Sequence, residues 1–151
     1  MKKTGVFYHD VCGKEAYSTL AMGVEEGFES LEKENLFSYP NVMLYESMPP
    51  EEKEIENVRK QVPGRVRDFK PELIFWVFGL DTHKASYGTA TLTERCYPKL
   101  AEIIKETADQ VCDGKLIVKT PCNAPGWVTG YVLPRIVDSL AELRKYEEPL
   151  V

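Results

Sequence analysis

Two histidines, His9 and His83, are all that this chain of 151 residues carries. No HxxxH or HExxH spacing can be built from them, so the helical zinc motifs of metalloproteases are excluded. Cysteine is sparse too. Cys12, Cys96, Cys112 and Cys122 stand at irregular spacings with no CxxC among them. A chain long enough to bury a real core needs no disulfide framework, and a reducing, cytoplasmic setting is expected. Glycine is missing where a dinucleotide would need it: "HDVCGKEAY" has one where the GxGxxG turn has three, so no nucleotide cofactor of that kind is expected. Gly13-Lys14 likewise lacks the first glycine and the Ser/Thr of a phosphate loop. Basic charge is not clustered, and a net charge of -5 argues against a nucleic-acid partner. "MKKTGVFYHD" has no apolar core of signal-peptide length, and no run reaches the length of a membrane span, so no membrane role is expected.

What is present is alternation. Strand-like runs at Thr4–His9, Asn41–Ser47, Leu73–Gly79 and Lys115–Thr120 alternate with stretches of helical periodicity. The first stripe is Tyr17, Leu20, Ala21, Val24, Phe28 and Leu31. The second is Ile55, Val58, Val62, Val66 and Phe69, which Pro63 and Gly64 should kink or split. The third, Leu100 to Val111, is preceded by Thr91 and Glu94 in the spacing of a capping box. The closing stripe is Leu133, Ile136, Val137, Leu140 and Leu143. "ELIFWVFG" is uniformly apolar, as suits a central parallel strand covered on both faces. The order predicts one α/β domain over residues 1–151, a three-layer α/β/α arrangement around a mainly parallel sheet of about four strands. If the first and third strands are neighbours, a crevice opens at their carboxyl ends.

The polar residues gather at those ends. Tyr8, His9, Asp10 and Cys12 follow the first strand, Asp81, Thr82 and His83 the third, and Thr120, Cys122, Asn123 and Trp127 the fourth. His9, Cys12, Asp81, His83 and Cys122 have the donor chemistry of a zinc site, although three separate loops would have to supply it. The plainer alternative is that Asp81 accepts loop amides and His83 sits beside it. Cys12 could act as a nucleophile with a histidine as base, or be a small buried apolar residue. Trp127, in a loop rich in Pro and Gly, is the aromatic expected to line a pocket, whereas Phe75, Trp76 and Phe78 read as core.

The segment "FKPELIFWVFGLDTHKASYGTATLTERCYPKL" resembles the histone deacetylase superfamily, which includes acetoin-utilisation and acetylpolyamine amidohydrolase proteins. Members show Lys-Pro, a buried strand, Gly-x-Asp-x-His, a loop with Gly, then Leu-Thr and a Tyr. Here these are Lys70-Pro71, Gly79, Asp81, His83, Gly88, Leu92-Thr93 and Tyr97. "KKTGVFYHDVCGKE" and "GKLIVKTPCNAPGWVTGYVLPRIVDSL" are similar to the family's first strand and to its last strand, tyrosine loop and closing helix. The resemblance implies an arginase/deacetylase-like fold and a zinc-dependent deacetylase acting on an acetylated amine. Asp81 would match the third zinc ligand, and Tyr131, by a shift of the loop, the transition-state tyrosine. The Asp-x-His that provides the other ligands and the adjacent histidine pair are missing, as though the middle of the domain had been removed.

The expected function is therefore a truncated deacetylase-like domain without the standard machinery, binding a small molecule or a partner. Asp81 would be its metal residue, Tyr131 and His83 its catalytic ones, and His9, Asp10, Cys12, Thr82, Asn123 and Trp127 its ligand-binding ones. The alternatives are a metal-dependent amide hydrolase with a rebuilt zinc site, and an interaction subunit completed by another chain or a second copy.

Overall fold

The structure, a computed structural model, describes residues 3–12 and 15–24 as backbone strands and residues 50–86, 91–120 and 124–146 in full. In chain order the elements are β1 (Lys3–Cys12), β2 (Glu15–Val24), α1 (Glu51–Phe69), β3 (Leu73–Phe78), a single 3-10 turn (Leu80–Thr82), α2 (Cys96–Cys112), β4 (Leu116–Lys119) and α3 (Gly126–Ala141). The strands form one sheet in the order β2-β1-β3-β4. β1 and β3 are parallel neighbours, paired from Thr4↔Leu73 to His9↔Phe78, and β4 runs parallel to β3 from Ile74↔Leu116 to Val77↔Lys119.

The helix predicted from Tyr17 is corrected over Tyr17–Val24, and its last positions, Phe28 and Leu31, lie outside the described residues. Glu15–Val24 is strand β2, paired antiparallel with β1 from Cys12↔Glu15 to Lys3↔Val24. A helical stripe competes here with a strand alternative: Tyr17, Thr19 and Val24 favour extended backbone, and pairing gives the outer edge of β1 a partner for its amides and carbonyls. The predicted strand Asn41–Ser47 lies outside the described residues.

α1 runs unbroken through Pro63 and Gly64, so of the two outcomes expected there, a kink or a split, the split does not occur. Pro63 removes one amide from the ladder, but Val58, Val62 and Val66 keep their common face buried across it. α2 is closed by Asp113 in the left-handed region and Gly114 at φ +72. Both residues hold positive φ, which is why the Asp-Gly pair predicted a turn correctly, and a side chain at Gly114 would also meet Asp109 Oδ1 at 2.8 Å.

The helix does not start from the capping-box spacing of Thr91 and Glu94. α2 starts at Cys96 and its entry is held by Thr93, whose Oγ1 accepts the Arg95 amide at 3.3 Å. Thr93 in turn donates its own N–H and O–H to Glu51 Oε2, at 2.7 and 2.5 Å. One carboxylate in the first turn of α1 thus ties the entrance of α2. Glu51→Ala should cost about 1.5–3 kcal/mol, the range for hydrogen bonds to a charged acceptor, measured as a lower urea midpoint.

β3 is not covered equally on its two faces. Ile74, Trp76 and Phe78 are buried, whereas Leu73, Phe75 and Val77 are half-buried. The first three join a core with Val58, Val62 and Val66 of α1, Leu100 and Ile104 of α2, and Val128 and Val132 of α3. Trp76 stacks on Phe78 at 4.5 Å, and Phe78 meets Tyr97 at 5.8 Å. The stripe predicted for the last helix is rotated. Val128, Val132 and Ile136 face the core, while Val137 and Leu143 are exposed, because the helix begins at Gly126 and its inner row extends back to Val128.

Cys96 is fully buried at the start of α2, where burial, reinforced by the charges of Glu51 and Glu54, pushes its thiol well up. Burial also raises the Cys112 thiol. In a Cys12→Ser/Cys122→Ser background, Cys96 and Cys112 should react with a disulfide reagent on the order of a hundredfold more slowly before unfolding than after it. Thiol release followed with and without denaturant checks this.

Candidate functional site at the strand ends

β3 delivers its chain through extended Gly79 into the 3-10 turn, so Asp81, Thr82 and His83 lie at the carboxyl end of a central strand and are all buried. Burial of three polar side chains in sequence requires partners for them. Thr82 Oγ1 lies 2.7 Å from Gly79 O and 2.7 Å from Tyr97 Oη. A hydroxyl has one proton; because Thr82 donates it to the carbonyl, Tyr97 is the donor to Thr82. Burial pushes the Tyr97 phenol far up, so it stays protonated and can serve as that donor.

His83 is engaged on both sides of its ring. Nδ1 accepts the Ala85 amide at 3.0 Å, and Nε2 stands 3.2 Å from Glu94 Oε2. The pattern fits a neutral imidazole with its proton on Nε2, donated to the carboxylate. The ring packs edge-on to Trp127 at 5.4 Å. Backbone contacts close the same loop: Lys84 N donates to Leu92 O at 2.8 Å, and Ser86 N to His83 O at 2.8 Å. The Glu94 carboxyl is held below its usual range, first by its own backbone amide and then by His83, against a partial opposing effect of burial.

The register carries β1 past the end of β3. His9 stands opposite Phe78, so Asp10, Val11 and Cys12 continue alongside the turn that holds Asp81. At the level of the backbone, the ends of β1 and β3 therefore meet, a condition that the sequence left open. Cys122 and Asn123 lie outside the described residues. Trp127 is not in a loop: it occupies the first turn of α3, exposed on one side and against His83 on the other. Tyr131 lies one turn further along α3, and its ring is covered by the Arg135 guanidinium at 3.7 Å. The sequence reading missed Glu94 as the partner of His83, since the capping-box spacing assigned it elsewhere. It also missed the use of Tyr97 to satisfy Thr82.

The zinc that the resemblance implies can be tested against these side chains. Neither nitrogen of His83 can meet an ion without giving up a hydrogen bond, and Asp81 is the carboxylate in the turn itself. Among the described residues no group of three His, Cys, Asp or Glu side chains is placed to hold a metal ion. These residues do not by themselves make up the donor set that zinc requires.

No protein-family profile matches the sequence, and no curated protein matches it. Solved structures do match in fold. One is the histone deacetylase Clr3, at a TM-score of 0.53 and 14% sequence identity, over 64% of this chain and 16% of that one. The chain has a histone-deacetylase-like fold. At that identity the likeness is one of fold, and the chain spans only 16% of the Clr3 chain. Among the described residues, no helix of this deacetylase-like fold is long and apolar enough to cross a membrane.

Proposed function

We propose that this chain is a deacetylase-like domain that uses the crevice at the carboxyl ends of β1 and β3 to bind a small molecule or a partner, without standard amide hydrolysis. The observation that carries the reading is the commitment of His83: its two nitrogens brace the loop between β3 and α2 through Ala85 and Glu94. A histidine used in this way positions Asp81 and Trp127 and is not free to take a proton from water. His9, Asp10, Cys12, Thr82, Asn123 and Trp127 would contribute to binding, and Asp81 would be the anchor for any zinc, with His9, Cys12 or Cys122 as further ligands. Purified protein incubated with acetyl-lysine or acetylpolyamine substrates and excess zinc should show no turnover. Turnover abolished by Asp81→Asn would overturn the proposal in favour of a hydrolase with a rebuilt site, in which Tyr131 would stabilise the oxyanion.

A second reading, an interaction subunit completed by another chain, is favoured by β4. This strand has four residues and ends the sheet among the described residues, and Ile117 on it is 45% exposed, beside half-buried Phe75 on β3. A further layer over that face would complete the three-layer arrangement. Light scattering that finds a strict monomer at high concentration would count against a second copy as that layer.

A further inference from the structure

At the other end of α3 from Trp127, a cavity of about 790 Å³ lies between the first turns of α2 and the last turns of α3. Arg95 and Lys99 line it from α2, Arg135 from α3, and Arg144 from the segment that follows. The carboxylates facing them are Glu102, Asp138 and Glu142. Two of these have donors of their own. Asp138 accepts the amides of Lys145 at 2.9 Å and Tyr146 at 3.3 Å, and Glu142 pairs with Lys105 at 2.8 Å. Four cationic side chains thus face three carboxylates there, on a chain whose net charge is -5.

Arg135 is the distinctive member. Its guanidinium lies 3.7 Å from the centre of the Tyr131 ring and 4.5 Å from that of Tyr146, and Nη1 donates to Tyr131 O at 3.2 Å. Its Nε is buried with no hydrogen-bond partner, and no carboxylate pairs with the group among the described residues. Two ring faces fix the orientation of the fork and remove much of its water, leaving a planar donor set without a counter-ion. Such a group is costly unless an anion completes it.

We propose that this cavity binds a small organic anion with two or more acidic oxygens, its charged groups held by Arg135, Lys99 and Arg144. The volume suits a ligand of metabolite size, and the site is independent of the strand-end crevice. A phosphate compound and a polycarboxylate share this chemistry, and pyrophosphate and citrate separate the two.

Calorimetric titration of the full chain with each compound, at constant ionic strength, should give one saturable site with Kd below about 1 mM for at least one of them. The compound that binds more tightly names the class. Lys99→Ala and Arg135→Lys should each weaken binding about tenfold or more, the loss expected for one charge-assisted contact. Lys60→Ala, which removes the same charge from the exposed face of α1, should leave it unchanged. Lys99 is exposed, so its variant tests the site even where Arg135→Lys loses stability. Absence of binding by both compounds up to about 10 mM overturns the proposal, as does equal weakening by Lys60→Ala and Lys99→Ala.

Discussion

Replacing Trp76 with alanine should remove about 3–5 kcal/mol of folding stability, the usual cost of truncating a buried aromatic. That is a large share of the roughly 5–15 kcal/mol that holds a domain together, so the variant should be largely unfolded at 37 °C. Trp76 is fully buried on β3, the strand hydrogen-bonded to both β1 and β4, and its ring lies on Phe78, which itself touches Tyr97. Truncation would leave a void among side chains from β3 and the helices, where the sheet backbone cannot collapse to fill it. Trp76→Phe should behave differently. Among the described residues the buried indole Nε1 has no hydrogen-bond partner, so phenylalanine removes some packing but also an unmet donor, which by itself costs about 1–3 kcal/mol. The two losses should differ by at least about 2 kcal/mol in denaturant unfolding. Equal losses would mean that the void left by alanine is filled by collapse of its surroundings.

His83→Ala should cost about 2–4 kcal/mol, because it empties a buried ring site and frees two hydrogen-bonding groups, the Ala85 amide and the Glu94 carboxylate. The tryptophan fluorescence of Trp127 should shift as well, since the imidazole edge against it disappears. The pH dependence has a definite sign. The carboxyl of Glu94 has a lower pKa in the folded chain than its ordinary value. Its contribution is therefore complete above the ordinary glutamate range near pH 4.3, and is lost as pH falls through the depressed folded value. Glu94→Gln should be less stable than the parent at neutral pH, with the gap closing below about pH 4. Unfolding midpoints across a pH series decide this. A gap that stays constant to low pH would remove Glu94 as the titrating partner.

These effects rest on residues that were legible to different degrees. β3 was readable because six consecutive apolar residues with turn signals on both sides have few other solutions, and the Asp113-Gly114 pair marked the end of α2 through a backbone conformation that favours glycine. The segment from Tyr17 was misread because its apolar spacing fits a helix while its residues also tolerate a strand, and the unpaired edge of β1 settles the matter. Glu94 was assigned to a cap by spacing, yet His83 lies across the loop and takes its carboxylate. Trp127 looked like a loop residue because Pro125 and Gly126 precede it; they are instead the N-cap and first residue of α3.

The order of elements from α1 onward, the buried strand and the polar cluster at its end are properties of the sequence alone, since periodicity and turn chemistry act over a few residues at a time. Which side chains satisfy one another was decided only by tertiary structure. Glu51 with Thr93, Thr82 with Tyr97, and His83 with Glu94 and Trp127 pair across 11 to 44 residues of chain, and a buried polar atom takes whichever partner the packed elements place beside it. For that reason the same three letters, Asp81-Thr82-His83, could suggest a metal site in the sequence and form a braced loop in the fold.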